Sequence, residues 1–275
     1  MKSTITFLLA LVSMATFAQK EFQGKAVYME KTSMDMNRFG NEMTEQQKQQ
    51  MMARFKNFLE KTYILNFTKS ESSFKEDAKL DAPGTSGPSW GRSNGQGSIY
   101  KDLKDKEMIE DVEIFSKRFL IVEKMEQPQW QLTSETKKIG EYTCYKATMA
   151  IEDKSVDFGS IFGRRANNTN TDKKEPEVKM LDVTAWYSPQ VPVSAGPKSY
   201  WGLPGLILEL NYGRTTVLCT EIEINPGDKI EIQKPTKGDK VGRDEYNKIV
   251  KEKTDELKER FQGRGNGMGG GRGRF

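Results

Sequence analysis

The chain has 275 residues, with 43 basic side chains against 39 acidic ones, and no histidine. Without histidine there can be no Ser-His-Asp or Cys-His catalysis and no histidine-type zinc site, so any catalysis would fall to carboxylates, Lys, Tyr, Ser or Arg. Lys2 and the tail residues Arg264, Arg272 and Arg274 account for the whole surplus of +4. The body is therefore near neutral, with no basic face to grip nucleic acid.

Residues 1–18, MKSTITFLLALVSMATFA, read as a signal peptide. Lys2 precedes an apolar run from Ile5 to Val12, and Thr16 and Ala18 are the small residues of a cleavage site. The run is too short to span a bilayer and no other is long enough, so the mature chain is expected to have no transmembrane segment. Gln19 stands where a lipoprotein would have cysteine. The mature chain is expected to be exported and soluble, or at most peripherally attached. Residues 19–240 read as one sheet-rich domain, 241–262 as a C-terminal helix and 263–275 as a disordered Gly/Arg tail. Nothing in the sequence fixes an oligomeric state.

A first strand spans Phe22 to Lys31. In TEQQKQQMMARFKNFLEK, Thr44 with Gln47 has capping-box spacing, and Met51, Phe55, Phe58 and Leu59 share one helical face. TYILNFTKSESSF returns to strand. Residues 82–97 are a polar insertion rich in Gly, Ser and Pro. From Ser98 to Ile151 the runs SIYKDL, EMIEDVEIF, FLIVEKM, WQLTSE and EYTCYKATMAI alternate with charged turns, as in an antiparallel meander. A second polar insertion spans 154–176, after which VKMLDVTAWYS resumes the sheet. RDEYNKIVKEKTDELKERFQG reads as a helix with Tyr246, Ile249, Val250, Leu257 and Phe261 on a thin apolar stripe.

In YWGLPGLILEL (200–210), Pro204 at the second position and Gly205 at the third predict a type II turn with positive φ at Gly205, and Gly202 a close backbone passage. Leu206, Leu208, Leu210 and Tyr212 then alternate as a strand. NYGR turns it into TTVLCTEIEIN, its expected hairpin partner. Two cysteines in an exported chain favour a disulfide. Alternation puts Cys144 opposite Tyr145, Ala147, Met149 and Ile151, and Cys219 opposite Leu218, Ile222 and Ile224. A structural Cys144–Cys219 bond is expected, two buried thiols being the alternative.

Together, IGEYTCYKAT (139–148) and AWYSPQVPVSAGPKSYWGLPGLILEL (185–210) closely resemble the GLPGLI family, with its Cys strand, Trp-Tyr strand, Gly-Pro pair and hexapeptide in order. The resemblance spans roughly residues 19–225 and implies an exported protein of two-membraned bacteria without an assigned activity, located in the periplasm or at the periplasmic face of the outer membrane. It brings no catalytic, cofactor or metal residues, and it implies an association with outer-membrane transporters.

Other constellations have plainer explanations. Six methionines lie between Met29 and Met52, including Met34 and Met36, which as soft thioethers suit Cu(I) but at this spacing suit a buried face better. The acyl-enzyme spacing S-x-x-K occurs at Ser72–Lys75, Ser98–Lys101 and Ser134–Lys137 without its companion motifs. Glu110, Asp111 and Glu113 read as a solvated edge. Trp186, Tyr187, Tyr200 and Trp201 gather aromatic area around the hexapeptide. If 200–201 is extended, one ring of that pair faces solvent as a contact for a hydrophobic ligand or partner.

The expected fold is α+β: one large, twisted, mainly antiparallel sheet, curled as in a half-barrel and covered by one or two helices. The expected function is non-enzymatic, an exported binding or accessory protein for an apolar ligand or an outer-membrane partner, with no cofactor. A histidine-independent hydrolase using carboxylates or a Ser-Lys pair is the alternative, and Met-based Cu(I) binding a further one.

Overall fold

The computed structural model describes residues 22–33, 44–77, 97–152 and 180–265. The signal-peptide region, Met34 and Met36, nearly all of the first insertion, the second, and the end of the tail lie outside them. So do the side chains of Met51, Phe55, Phe58, Leu257 and Phe261.

Twelve strands form one open sheet: β1 (Gln23–Thr32), β2 (Glu60–Thr68), β3 (Glu71–Glu76), β4 (Ile99–Asp102), β5 (Glu107–Ile114), β6 (Lys117–Lys124), β7 (Gln131–Ile139), β8 (Tyr142–Glu152), β9 (Met180–Ser188), β10 (Leu206–Tyr212), β11 (Thr215–Ile224) and β12 (Asp239–Val241). The helices are α1 (Glu45–Leu59) and α2 (Arg243–Gly265). The spatial order is β12-β6-β5-β4-β3-β2-β1-β11-β10-β9-β8-β7. Two meanders, β1 to β6 and β7 to β11, thus run outward from a central β1–β11 seam, whose register runs from Gly24 opposite Ile224 to Thr32 opposite Thr215. The pairings are antiparallel except β12 on β6. The sheet-dominated α+β reading holds, with a mixed sheet.

Side chains opposite one another in register share a face. The core face carries Ala26, Tyr28, Tyr63, Leu65, Phe67, Phe74, Val183, Ala185, Leu210 and Val217, all at most 2% exposed. Helices do not cover most of it. At one end α2 does so, where Tyr246, Ile249 and Val250 pack on Val112, Ile114, Phe119 and Ile121. Much of the remainder is roofed by the segment between β9 and β10, residues 189–205, from which Val191, Val193, Ala195, Tyr200 and Leu203 join the main core. Helix α1 begins with the expected capping box: Gln47 N–H donates to Thr44 Oγ1 and Thr44 N–H to Gln47 Oε1.

The sequence reading missed the break in TYILNFTKSESSF, which forms β2 and β3. The tight turn lacks Gly, Asn and Pro, and Thr68 Oγ1 holds it by accepting from the Ser70 and Glu71 amides at 3.2 and 3.0 Å. The β10–β11 hairpin is as expected, closed at Tyr212 opposite Thr215 with Gly213 at φ 55°.

The hexapeptide corner differs from expectation. Gly205 has no positive φ, and its N–H donates to Leu203 C=O at 2.8 Å, a three-residue turn centred on Pro204 rather than a type II turn. The two glycines exchange roles. Gly202 takes the positive φ, 90°, whereas a Cβ on Gly205 would lie 2.3 Å from the Ser188 carbonyl oxygen. Gly205 is required by close backbone approach.

The expected disulfide is not formed: Cys144 and Cys219 are free, buried thiols. A bulge opposite Val27/Tyr28 explains the misreading, since Tyr28 pairs with Cys219 but Val27 with Glu221. The extra residue, Thr220, switches faces, so Cys219 shares the core face with Tyr28, and Ile222 rejoins that face beyond the bulge. Cys144 lies on the outer face. There its cross-strand partner Lys137 reaches over Trp186 and pairs with Glu209.

Candidate functional site

The most unusual chemistry lies where segment 189–205 crosses the core face. Lys101 on β4 is 0% exposed. It stands opposite Ser72 of β3 and, like Phe74 two residues along that strand, points inward. Its ammonium donates to three carbonyl oxygens of the crossing segment: Gly196 at 2.8 Å, Lys198 at 2.7 Å and Tyr200 at 3.0 Å. Burial pushes the Lys101 pKa down to about 7. The three carbonyls act the other way, since each can only accept.

A second ionic anchor lies beside it. Lys198, at φ 52°, sends its ammonium to Glu30 Oε2 of β1 at 2.6 Å, with the two side chains 11% and 12% exposed. This is an ion pair without hydrogen-bond alignment at that oxygen. The ammonium also lies 5.9 Å from the Tyr63 ring centroid and 5.5 Å from that of Tyr212, within cation–π range. Burial, then the charge of Glu30, raises the pKa of both phenols, so they stay neutral.

A third group marks the junction with α2. Arg243, its first residue, binds Glu110 of β5 and Glu123 of β6. Burial opposes the Arg243 charge, but the two carboxylates outweigh it and the pKa is raised. Between the second and third groups lies a half-open depression of about 270 Å³, lined by Ile99, Met108, Glu110, Lys198, Ser199, Tyr200, Tyr212 and Arg243. It holds one carboxylate, already engaged by arginine, and no nucleophile paired with a base.

The aromatic residues singled out from the sequence do not form a common surface. Tyr200 and Trp201 are both buried, at 8% and 9% exposure, because the chain is irregular there and side chains do not alternate. Tyr200 packs on Tyr212 and Trp130, and Trp130 Nε1–H donates to the Trp201 carbonyl at 2.8 Å. Tyr187 is buried on the core face beside Tyr145. Trp186 lies on the outer face, 4.3 Å beneath the Lys137 ammonium.

The remaining constellations also separate. Within β3, three residues apart means opposite faces, so Ser72 and Lys75 cannot form a dyad, and in β7 the Lys137 ammonium is bound to Glu209 at 2.7 Å rather than to Ser134. Ser98 precedes β4, and Lys101 is committed to its carbonyls. Glu110 faces the core side, whereas Asp111 faces outward and binds Arg118 through both oxygens. No group of three or more His, Cys, Asp or Glu side chains suited to a metal occurs among the described residues. No described helix is long and apolar enough to cross a membrane.

Sequence reasoning missed Lys101, Lys198 and Glu30 as a unit. One signal was available: in SIYKDL, Lys101 has the same strand parity as Ile99, so an inward Ile99 implies an inward lysine.

A family model described as "Protein of unknown function (Porph_ging)" matches residues 130–209, which span β7 to β9, the crossing segment and the start of β10. The description gives no activity and does not use the hexapeptide as a name. No curated protein matches the chain. Two crystal structures of PNGF-II, in space groups C2 and P21, are similar at 12% and 13% identity, each with a TM-score of 0.48. They cover 83% and 84% of this chain but only 32% and 33% of their own, so the chain spans about a third of that protein's length.

Proposed function

We propose that this is a non-enzymatic exported accessory protein that holds a protein partner at the periplasmic face of an outer membrane. The leader-like residues 1–18 motivate the location. A twelve-stranded sheet of ordinary twist curls, and a segment lying across one face fits a half-barrel whose hollow is occupied by its own chain. That occupancy favours a protein partner over a lipid-sized ligand, because the hollow expected to take a ligand is already filled by Val191, Val193, Ala195 and Leu203.

The observation that carries the partner reading is exposed apolar area on the two outermost strands of the β7 end. Leu132 is 59% and Tyr145 39% exposed, and register puts both on the core face beyond the crossing segment. Direct strand addition to the β7 edge is disfavoured, because two extra residues between Leu132 and Thr136 distort that ladder. Contact through side chains is the favoured mode. The hydrolase alternative has less support: Glu30 and Glu110 are engaged by Lys198 and Arg243, Lys101 is held by three carbonyls, and among the described residues no serine stands beside an uncommitted base.

Photo-crosslinker placed at Leu132 or Tyr145 in the exporting bacterium tests this. A discrete adduct with one outer-membrane protein is expected from both positions and not from exposed Thr220 on the seam. Equal labelling from all three would reject it. Recovery of bound lipid from the purified protein would favour the ligand reading instead.

A further inference from the structure

We infer that the carbonyl oxygens of Gly196, Lys198 and Tyr200 form a cation site whose resident ion is the chain's own Lys101 ammonium, and that the charge of that ion holds the crossing segment in place. Carbonyls of alternate residues in an irregular segment do not converge on one point by default. Here they do, at 2.7–3.0 Å from a single nitrogen. Carbonyl cages of this kind replace the hydration shell of a cation. The distances suit charge-assisted bonds, and an ammonium has three N–H donors where a neutral amine has only two.

Two features show that the segment is built around this point. Lys198 adopts the left-handed conformation, φ 52°. Gly196 leaves no room for a side chain: a Cβ there would lie 2.6 Å from Ile207 Cδ1 and 2.9 Å from the Tyr200 oxygen of the cage. The neighbouring charges are committed elsewhere, Lys198 to Glu30 and Arg243 to Glu110 and Glu123. Lys101 is therefore a positioning residue for the hexapeptide segment, acting as a tethered ion.

The first test uses the wild-type chain. A caged ammonium should give one slowly exchanging lysine NH₃⁺ signal in ¹⁵N spectra at pH 6, which Lys101→Arg removes. Absence of any protected ammonium signal overturns the proposal whether or not variants fold. The second test reads the segment itself through tryptic cleavage after Lys198, which is 9% exposed in the intact fold. Lys101→Met, which keeps the stem and loses the charge, should speed that cleavage at least tenfold while far-ultraviolet circular dichroism is retained. Lys101→Ala should be returned toward the wild-type rate by millimolar methylammonium, but not by tetramethylammonium at equal ionic strength. A folded Lys101→Met protein cleaved at the wild-type rate would show that the stem alone suffices and would reject the cation site.

Discussion

The two ends of the core face are roofed in different ways, and the contrast shows what each kind of roof requires. At the β5–β6 end the roof is a helix. Its interior backbone groups are satisfied internally, so contact is left to an apolar stripe, Tyr246, Ile249 and Val250 on Phe119 and Ile121, with Arg243 clamping its first turn. Over β1 to β4 and the β9–β11 side the roof is an irregular segment, whose buried carbonyls have no helical partners. Charged side chains reaching up from the sheet fill that need: Lys101 serves three carbonyls, and Glu30 holds Lys198. A buried lysine is thus the counterpart of a helix's own hydrogen bonds.

If this contrast is right, the segment end is the more sensitive to a single polar change. Lys101→Met should cost about 3 kcal/mol, removing the ammonium that three buried carbonyls share, as read by urea denaturation. An effect under 1 kcal/mol would remove the distinction between the ends. Gly205→Ala comes next, at roughly 2–3 kcal/mol, because its Cβ meets the Ser188 carbonyl backbone rather than a movable side chain. At the helix end, Val250→Ala should cost about 2 kcal/mol for an apolar deletion at a site 2% exposed, and should loosen α2 without increasing cleavage after Lys198.

The thiols give a pH test of the segment end. Burial raises Cys144 to about 11 and Cys219 to about 12, from an ordinary 9.0. For acids raised by folding, the stabilisation is complete below pH 9 and is lost as pH climbs through the folded values. The native protein should therefore leave both thiols unmodified by Ellman's reagent at pH 8. Cys219→Ala should lose less stability than wild type between pH 8 and 11. The smallest effect belongs to Glu123→Gln, under about 1 kcal/mol, since Arg243 keeps Glu110 and the pair is partly solvated.

Much of the sheet was legible in the sequence, because alternation is a local signal. The β10–β11 hairpin and the β8 and β9 strands follow from it, and the capping box of α1 follows from the equally local spacing of Thr44 and Gln47. Alternation fails at an inserted residue: Thr220 reversed the faces of β11, and with them the argument for a disulfide. The corner was misread because proline followed by glycine has two uses, positive φ or close passage, and only the approach of Ser188 decides between them. The site was hardest to read. Lysine on a short strand resembles a solvated edge, and its three partners lie about a hundred residues away, at Gly196, Lys198 and Tyr200.

The seam between β1 and β11 has a consequence for assembly. Gly24 finds Ile224 only when nearly the whole chain is available, and the other neighbour of β1, strand β2, completes just one half of the sheet. Until β11 exists, the first strand offers an unpaired flank and the two meanders remain separate pieces. A polypeptide with this wiring must keep its opening strand waiting through synthesis, so it reaches its final form late and slowly, as long-range pairing demands.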